Sequence, residues 1–417
     1  MKKALWKGGG AYGLANALAA GAQFAAILIF AGALRSDDFG RLSIFSVLFI
    51  VLSMVVGLGL TAAAQHAYFQ VAFDKFQLLV STILKAVIAF AAFLALFIAL
   101  VPDKVIGYSS LPRIWVLYSL AAATAQVSVQ ILMTVLQTQE RIYDHLKIVA
   151  LQIAIHLSFS IGFLLTQREE WQLAVLAQSA APMLTGVTAL LVLSKAGFLT
   201  RHTSVELLAG ALRYSLPLVP HQVAGWVISM VDRFIIATHL GVAQAGIYSL
   251  SFQISQATNI VSNSFNQALV PVMFRLLAER IPDHLRIRRL NGLYAAGLVC
   301  FAAIFVTVFI AAAPFFLRPD YIPALGYTPW LILAFLLLAI SRISSNFLMY
   351  YGQTGTLAIG TMLSALASVL LNLTLVPEFG VVGACWASVA AFSLLLGITT
   401  WRALLCHRQQ QSDATSR

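Results

Sequence analysis

The chain has 417 residues, of which 60% are hydrophobic and only 10% charged, with a mean hydropathy of +0.88. Those proportions exclude a soluble globular domain, in which about 25% of residues are charged. The formal charge of +11 does not call for nucleic acid, because the basic residues collect in loops between apolar runs, where membrane topology accounts for them.

Twelve apolar runs follow one another, at about 11–34, 42–63, 78–101, 113–138, 147–166, 171–194, 215–238, 247–273, 288–312, 326–350, 355–376 and 382–405. Runs of this length without alternation cross a bilayer as α-helices, which satisfy their own backbone in lipid. The expected class is an all-α integral membrane protein. The first run follows Met1, Lys2, Lys3 and Lys7 and so imitates a signal peptide. It is read as a retained span, because its turn returns later in the chain.

That turn is Leu34-Arg-Ser-Asp37-Asp38-Phe-Gly40-Arg-Leu-Ser43, and its counterpart is Leu240-Gly-Val-Ala243-Gln244-Ala-Gly246-Ile-Tyr-Ser249. Leu, Gly and Ser match after the first run and after the seventh, which predicts two six-helix bundles as a parallel repeat about the membrane normal. The expected division is 1–200 for the first bundle, 201–214 for a connecting interfacial helix, 215–406 for the second bundle and 407–417 for a disordered tail. Thr203 and Glu206 have capping-box spacing for the start of the connecting helix. Asp37-Asp38 resembles the acidic pair of a membrane glycosyltransferase, but Ala243-Gln244 at the equivalent turn favours solvated turn residues.

Polar residues inside the runs are the candidate site. Lys85, near the inner end of the third run, either reaches a cavity or snorkels to the interface. His156 in the fifth run, His221 beside Pro220 in the seventh, and Asp232 are candidates for carrying a coupling proton. Asp232 serves equally as a turn clamp. Adjacent helical residues diverge by about 100°, so Asp232 is expected to face inward while Arg233 reaches the interface. The eighth run carries Gln253, Gln256, Asn259, Asn263, Asn266 and Gln267, of which the last five share one helical face. That face either lines a polar lumen or ties helices together; six amides exceed what packing requires. Arg342, deep in the tenth run, is costly at mid-bilayer by at least ~2.5–3.5 kcal/mol and must face a cavity or a partner. No carboxylate lies deep in any run, so an anionic ligand is the expected partner. Cys300, Cys385 and Cys406 show no metal or disulfide spacing.

With the N-terminus placed inside, 18 of the 26 Lys and Arg fall on the inner side and seven outside, leaving Arg342 alone within a span. The positive-inside rule therefore puts both termini in the cytoplasm. The five arginines between Arg275 and Arg289 fit that rule, or bind anionic lipid headgroups.

The series Leu216-Pro217-Leu218, Asp232-Arg233, Leu240-Gly241, Gly246-Ile-Tyr248-Ser249 and Ala268-Leu-Val-Pro271 resembles the polysaccharide-biosynthesis export proteins. These are the lipid-linked oligosaccharide flippases of the multidrug/oligosaccharidyl-lipid/polysaccharide (MOP) superfamily. Leu34, Phe39-Gly40, Gly57-Leu58-Gly59-Leu60 and Pro377-Glu-Phe-Gly380-Val-Val-Gly383-Ala384 keep the family's order. The resemblance implies a MATE-like two-lobed bundle in a bacterial inner membrane, with coupling to H+ or Na+. The implied cargo is an oligosaccharide on undecaprenyl pyrophosphate, and the implied partners are membrane lipids and a glycan polymerase or export machinery. Where many relatives carry a basic residue at the inner end of the second span, this chain has His66. The expected substrate-binding set is Arg342 and Lys85 for phosphate with Gln256, Asn259, Asn263, Asn266 and Gln267 for sugar. The alternatives are a multidrug or cation antiporter of the same superfamily and a membrane glycosyltransferase or polymerase; no nucleophile, metal or paired-carboxylate constellation supports an enzyme.

Overall fold

The computed structural model describes residues 2–107, 110–277, 284–315 and 317–415. It is helical throughout, with no strand among the described residues. The helices are α1 (Lys2–Ala33), α2 (Ser36–Gly57), α3 (Leu60–Tyr68), α4 (Phe73–Leu100), α5 (Asp103–Gly107), α6 (Arg113–Thr138), α7 (Ile142–Leu165), α8 (Trp171–Lys195) and α9 (Val205–Ser215). They continue as α10 (Val219–Leu240), α11 (Val242–Leu277), α12 (His284–Ala312), α13 (Ala324–Tyr350) and α14 (Thr354–Thr415). Of the twelve apolar runs, the second is split between α2 and α3 and the seventh begins ahead of α10. The other ten each fall within one of these helices to within a residue, the last two both in α14.

The break between those two runs is at Gly380, whose φ of 62 and ψ of −145 interrupt the helix. The chain doubles back there: a Cβ added at Gly383 would lie 2.2 Å from the Leu375 carbonyl oxygen. Only glycine takes that backbone and that approach without strain. Beyond Cys406 the helix continues to Thr415, where the composition suggests a disordered tail; Arg and Gln are good helix formers and nothing in the stretch interrupts them. The second run also differs from expectation, since α2 ends at Gly57, and Leu58 and Gly59 turn left-handed before the short α3.

The chain divides into two compact units, Met1–Val223 and Ala224–Arg417. In the first, α6 packs on α2, α3, α4 and α8, while α7 packs on α1 and α8. Lipid is as apolar as these side chains, so close packing rather than hydrophobic transfer holds membrane helices together. At Gly186 of α8 a Cβ would come within 2.7 Å of the Ala125 Cβ on α6, so the missing side chain sets that contact. Phe76, Ile83, Leu84, Ile131 and Leu132 fill the core between α4 and α6. In the second unit α13 is central and packs on α11, α12 and α14. Its core joins Ile236, Tyr248, Phe252, Leu331, Phe335 and Cys385.

The two matching turns occupy like places in their units. Gly40 and Ser43 lie buried near the start of α2, and Gly246 and Ser249 lie buried near the start of α11. The connecting helix α9 packs on α3 and α4 within the first unit. Its cap is Ser204, whose Oγ accepts from Leu207 N at 3.3 Å. Capping thus starts one residue later than the Thr203–Glu206 spacing predicts. Ser204 wins that place because its own amide is anchored by Thr82 Oγ1 at 3.2 Å.

Candidate functional site

The polar residues of α11 occupy one broad side of the helix, and their partners divide that side into two adjoining arcs. Ser251, Ser255, Asn259, Ser262 and Asn266 span about 80° of the helix, and Gln253, Gln256, Asn263 and Gln267 span a second arc of about 80° beside it. The first face is bonded to α13 along its length. Ser251 Oγ donates to the Ala324 carbonyl at 3.1 Å and Ser255 Oγ to that of Thr328 at 3.3 Å. Further along, Asn346 Nδ2 donates to Asn266 Oδ1 at 2.7 Å. Two of the expected sugar-binding amides, Asn259 and Asn266, therefore tie helices together. The second face makes no side-chain hydrogen bond among the described residues; Asn263 and Gln267 are exposed, and Gln253 and Gln256 half-buried.

Arg342 meets the bonded face at Asn259 and Ser262. It lies eight residues before the end of α13, about 12 Å along a helix that rises 1.5 Å per residue. Nη1 donates to Ser262 Oγ at 2.7 Å and Nη2 to Asn259 Oδ1 at 2.5 Å, with the Asn259 carbonyl at 3.5 Å from Nη1. Behind Ser262 stands Tyr294 of α12, its hydroxyl 2.8 Å from Ser262 Oγ. Every partner is neutral, and no carboxylate contacts the guanidinium among the described residues. Burial without a counter-charge is the arrangement that attracts an anion, since a phosphate would form shorter and stronger bonds than the amides do.

The other candidates stand apart from this cluster. Asp232 and Arg233 are 1% and 3% exposed, so Arg233 does not reach the interface as helix geometry alone predicts. Its Nη1 turns back to the Ser229 carbonyl at 2.8 Å, and its guanidinium lies 4.2 Å from the centre of the Phe252 ring. Asp232 Oδ1 accepts from the Arg233 amide at 2.8 Å and lies 3.7 Å from Arg233 Nη1. Its Oδ2 accepts from the Tyr248 hydroxyl, itself 3.4 Å from Ser388 Oγ. The carboxylate is thus fully engaged in a clamp between α10, α11 and α14.

In the first unit, Lys85 neither faces open space nor snorkels. Nζ donates to the carbonyls of Thr200, Arg201 and His202 at 2.7, 3.1 and 3.1 Å, which uses all three of its protons and anchors the segment leading to α9. His156 lies in a seam of neutral polar groups. Its ring meets the backbone of Gln178, whose carbonyl would bond the amide of residue 182 were that residue not proline. Gln178 Nε2 donates to Ser46 Oγ at 2.8 Å, and Tyr118 and Ser179 pair at 2.9 Å. His221 is in α10, but its side chain lies outside the described residues. His66 stacks on Tyr214 with ring centroids 4.3 Å apart. Asp38 pairs with Arg41 at 3.8 Å in the first turn of α2. Of the arginines between Arg275 and Arg289, Arg280 is outside the described residues, and Arg275, Arg286, Arg288 and Arg289 are exposed.

Sequence reasoning passed over Ser262, Tyr294 and Asn346. A signal existed: Asn346 lies one helical turn after Arg342, and Ser262 lies between Asn259 and Asn266 on the α13-facing arc. Tyr294 gave none, because nothing in one sequence says which helix α12 meets.

Residues 5–277 match the model of a family described as polysaccharide biosynthesis protein. Comparison with curated proteins gave no match. Among solved structures, the chain is similar to the lipid II flippase MurJ in an inward closed conformation, with a TM-score of 0.73 and 12% identity over 93% of this chain and 86% of that one. It is also similar to an inward-facing multidrug resistance MATE family transporter of the MOP superfamily, with a TM-score of 0.68 and 14% identity over 93% and 94%. A MOP superfamily transporter from Pyrococcus furiosus, whose title refers to a binding pocket of reverse polarity, gives 0.54 and 15% over 94% and 95%. At these identities the likeness shows the fold, the all-helical architecture of the MOP transporters.

Proposed function

The chain belongs to the polysaccharide biosynthesis protein family, and from that premise we propose that it is a flippase for an oligosaccharide carried on undecaprenyl pyrophosphate. The observation that supports this most is Arg342, a guanidinium within a membrane-spanning helix whose partners are all neutral. Its fork fits a phosphate bidentately, and the charge-assisted bonds outweigh those to Asn259 and Ser262. The amides Gln253, Gln256, Asn263 and Gln267 on the adjoining face of α11, which make no side-chain hydrogen bond among the described residues, offer donors and acceptors for sugar hydroxyls. The isoprenoid tail needs no site, since lipid accommodates it. Transport runs by alternating access in a bacterial inner membrane, with both termini cytoplasmic, and draws on an H+ or Na+ gradient.

A carrier of cationic drugs needs a carboxylate with capacity to spare. The buried acid Asp232 is committed to Arg233 and Tyr248, which favours an anionic cargo. The glycosyltransferase alternative rests on Asp37 and Asp38, and replacing both by Asn tests it: export is expected to stay near wild type, whereas abolished glycan synthesis would favour that enzyme. The test of the flippase reading is deletion of the gene. One surface glycan should disappear while its lipid-linked unit accumulates on the inner leaflet; loss of the lipid-linked unit itself would place the protein in synthesis and overturn the reading.

A further inference from the structure

Arg342 belongs to a hydrogen-bonded circuit that runs through three helices. Its Nη1 donates to Ser262 Oγ on α11 at 2.7 Å. Ser262 Oγ lies 2.8 Å from the Tyr294 hydroxyl on α12. That hydroxyl in turn approaches two carbonyls, Ser262 at 3.3 Å and Ala339 at 3.5 Å, the second on α13 three residues before Arg342. Either hydroxyl can donate in the Ser262–Tyr294 pair, and Tyr294 also meets the Arg342 side chain directly. Arg342, Ser262 and Tyr294 therefore form one network anchored to the backbone, each bond polarising the next.

An arginine stem is long and flexible, and its guanidinium binds an anion well only when held at the right angle. Ser262 supplies that hold, and Ser262 is itself oriented by Tyr294, since a hydroxyl rotates to suit its partners. Without Ser262, Nη1 would keep only the long contact to the Asn259 carbonyl at 3.5 Å.

We propose that Tyr294 is a positioning residue for cargo recognition, holding the Arg342 guanidinium directly and through Ser262 so that it faces the phosphate groups of a polyisoprenoid-linked cargo. The identity of the anion rests on the flippase reading; the circuit does not. A tyrosine that merely fastens α12 to its neighbours would affect every ligand alike. A positioning residue affects the charged headgroup and spares the lipid tail.

The test is equilibrium binding to the purified full chain in lipid nanodiscs, with farnesyl pyrophosphate and farnesol as probes. Y294F is expected to weaken farnesyl pyrophosphate about 5-fold, the effect of one neutral hydrogen bond worth ~1 kcal/mol, and to leave farnesol within about 2-fold. S262A is expected to do the same, and it serves as the second variant should Y294F not accumulate. Because Tyr294 acts by way of Arg342, Y294F on top of R342Q should cost nothing more. Equal weakening of both probes, full additivity with R342Q, or unchanged pyrophosphate binding in Y294F and S262A while R342Q loses it would each overturn the role of Tyr294 and leave the flippase reading standing. Pyrophosphate binding that R342Q leaves unchanged would remove the anion site and overturn both.

Discussion

Replacing Arg342 by alanine separates its cost to the fold from its use. Removing a charge from a membrane span relieves a penalty of at least ~2.5–3.5 kcal/mol. Against that, Asn259 Oδ1 and Ser262 Oγ lose their donors at 2.5 and 2.7 Å. Ser262 keeps Tyr294, so the loss is confined to one neutral acceptor, worth ~1–3 kcal/mol. The two effects nearly cancel, and R342A should reach the membrane in wild-type amounts or slightly more. Export should fall much further. Hydrogen bonds to a charged group contribute ~1.5–3 kcal/mol, and one decade of affinity or rate corresponds to about 1.4 kcal/mol, so a fall of about 10- to 100-fold is expected. R342K keeps the charge but not the fork and should retain part of the activity. The assay is the rate at which labelled glycan appears on the surface of cells lacking the native gene and complemented with each variant, normalised to protein in the membrane. Wild-type export by R342A at normal abundance would refute the reasoning, as would an export defect that only tracks lost protein.

Three further outcomes follow from the same geometry. The two faces of α11 should respond differently to leucine: at Gln256, Asn263 and Gln267 it should lower export at constant protein, at Asn266 it should lower the melting temperature in detergent, since that amide ties α11 to α13, and at Asn259, which also holds Arg342, it should do both. A shared response from all five positions would dissolve the distinction. D232N leaves the buried Arg233 uncompensated, which typically costs ~3–5 kcal/mol, so the variant should accumulate poorly, and D232N combined with R233M should recover. Normal accumulation of D232N together with pH-insensitive export would instead make Asp232 a coupling group. K85M removes a donor from three carbonyls of the segment leading to α9 and should lower thermal stability without changing the affinity for farnesyl pyrophosphate; a selective loss of that affinity would return Lys85 to the binding site.

The sequence by itself determined the membrane class, the helical class and the place of most apolar runs in helices, because those depend on run length and on the need of each backbone group for a partner within lipid. It also located the repeated turn: Leu34 to Ser43 and Leu240 to Ser249 open α2 and α11 in like fashion, with buried Gly40 and Gly246. It marked Arg342, since a lone charge in an apolar run is conspicuous without any knowledge of its neighbours. What it did not determine was the use made of each polar side chain, for that depends on which helix lies opposite. Lys85 has the same local sequence whether it snorkels or, as the tertiary structure places it, grips the carbonyls of residues 200 to 202. Arg233 has the same helical angle whether it extends to the interface or folds over Phe252. The amides of α11 form one stripe in projection, and only the packing of α13 against one edge divides them into a bonded face and an open one. Intrahelical periodicity is a local property that one chain displays openly. The partner of a buried donor is a long-range property, and it became visible only when α11, α12 and α13 were brought together around Arg342.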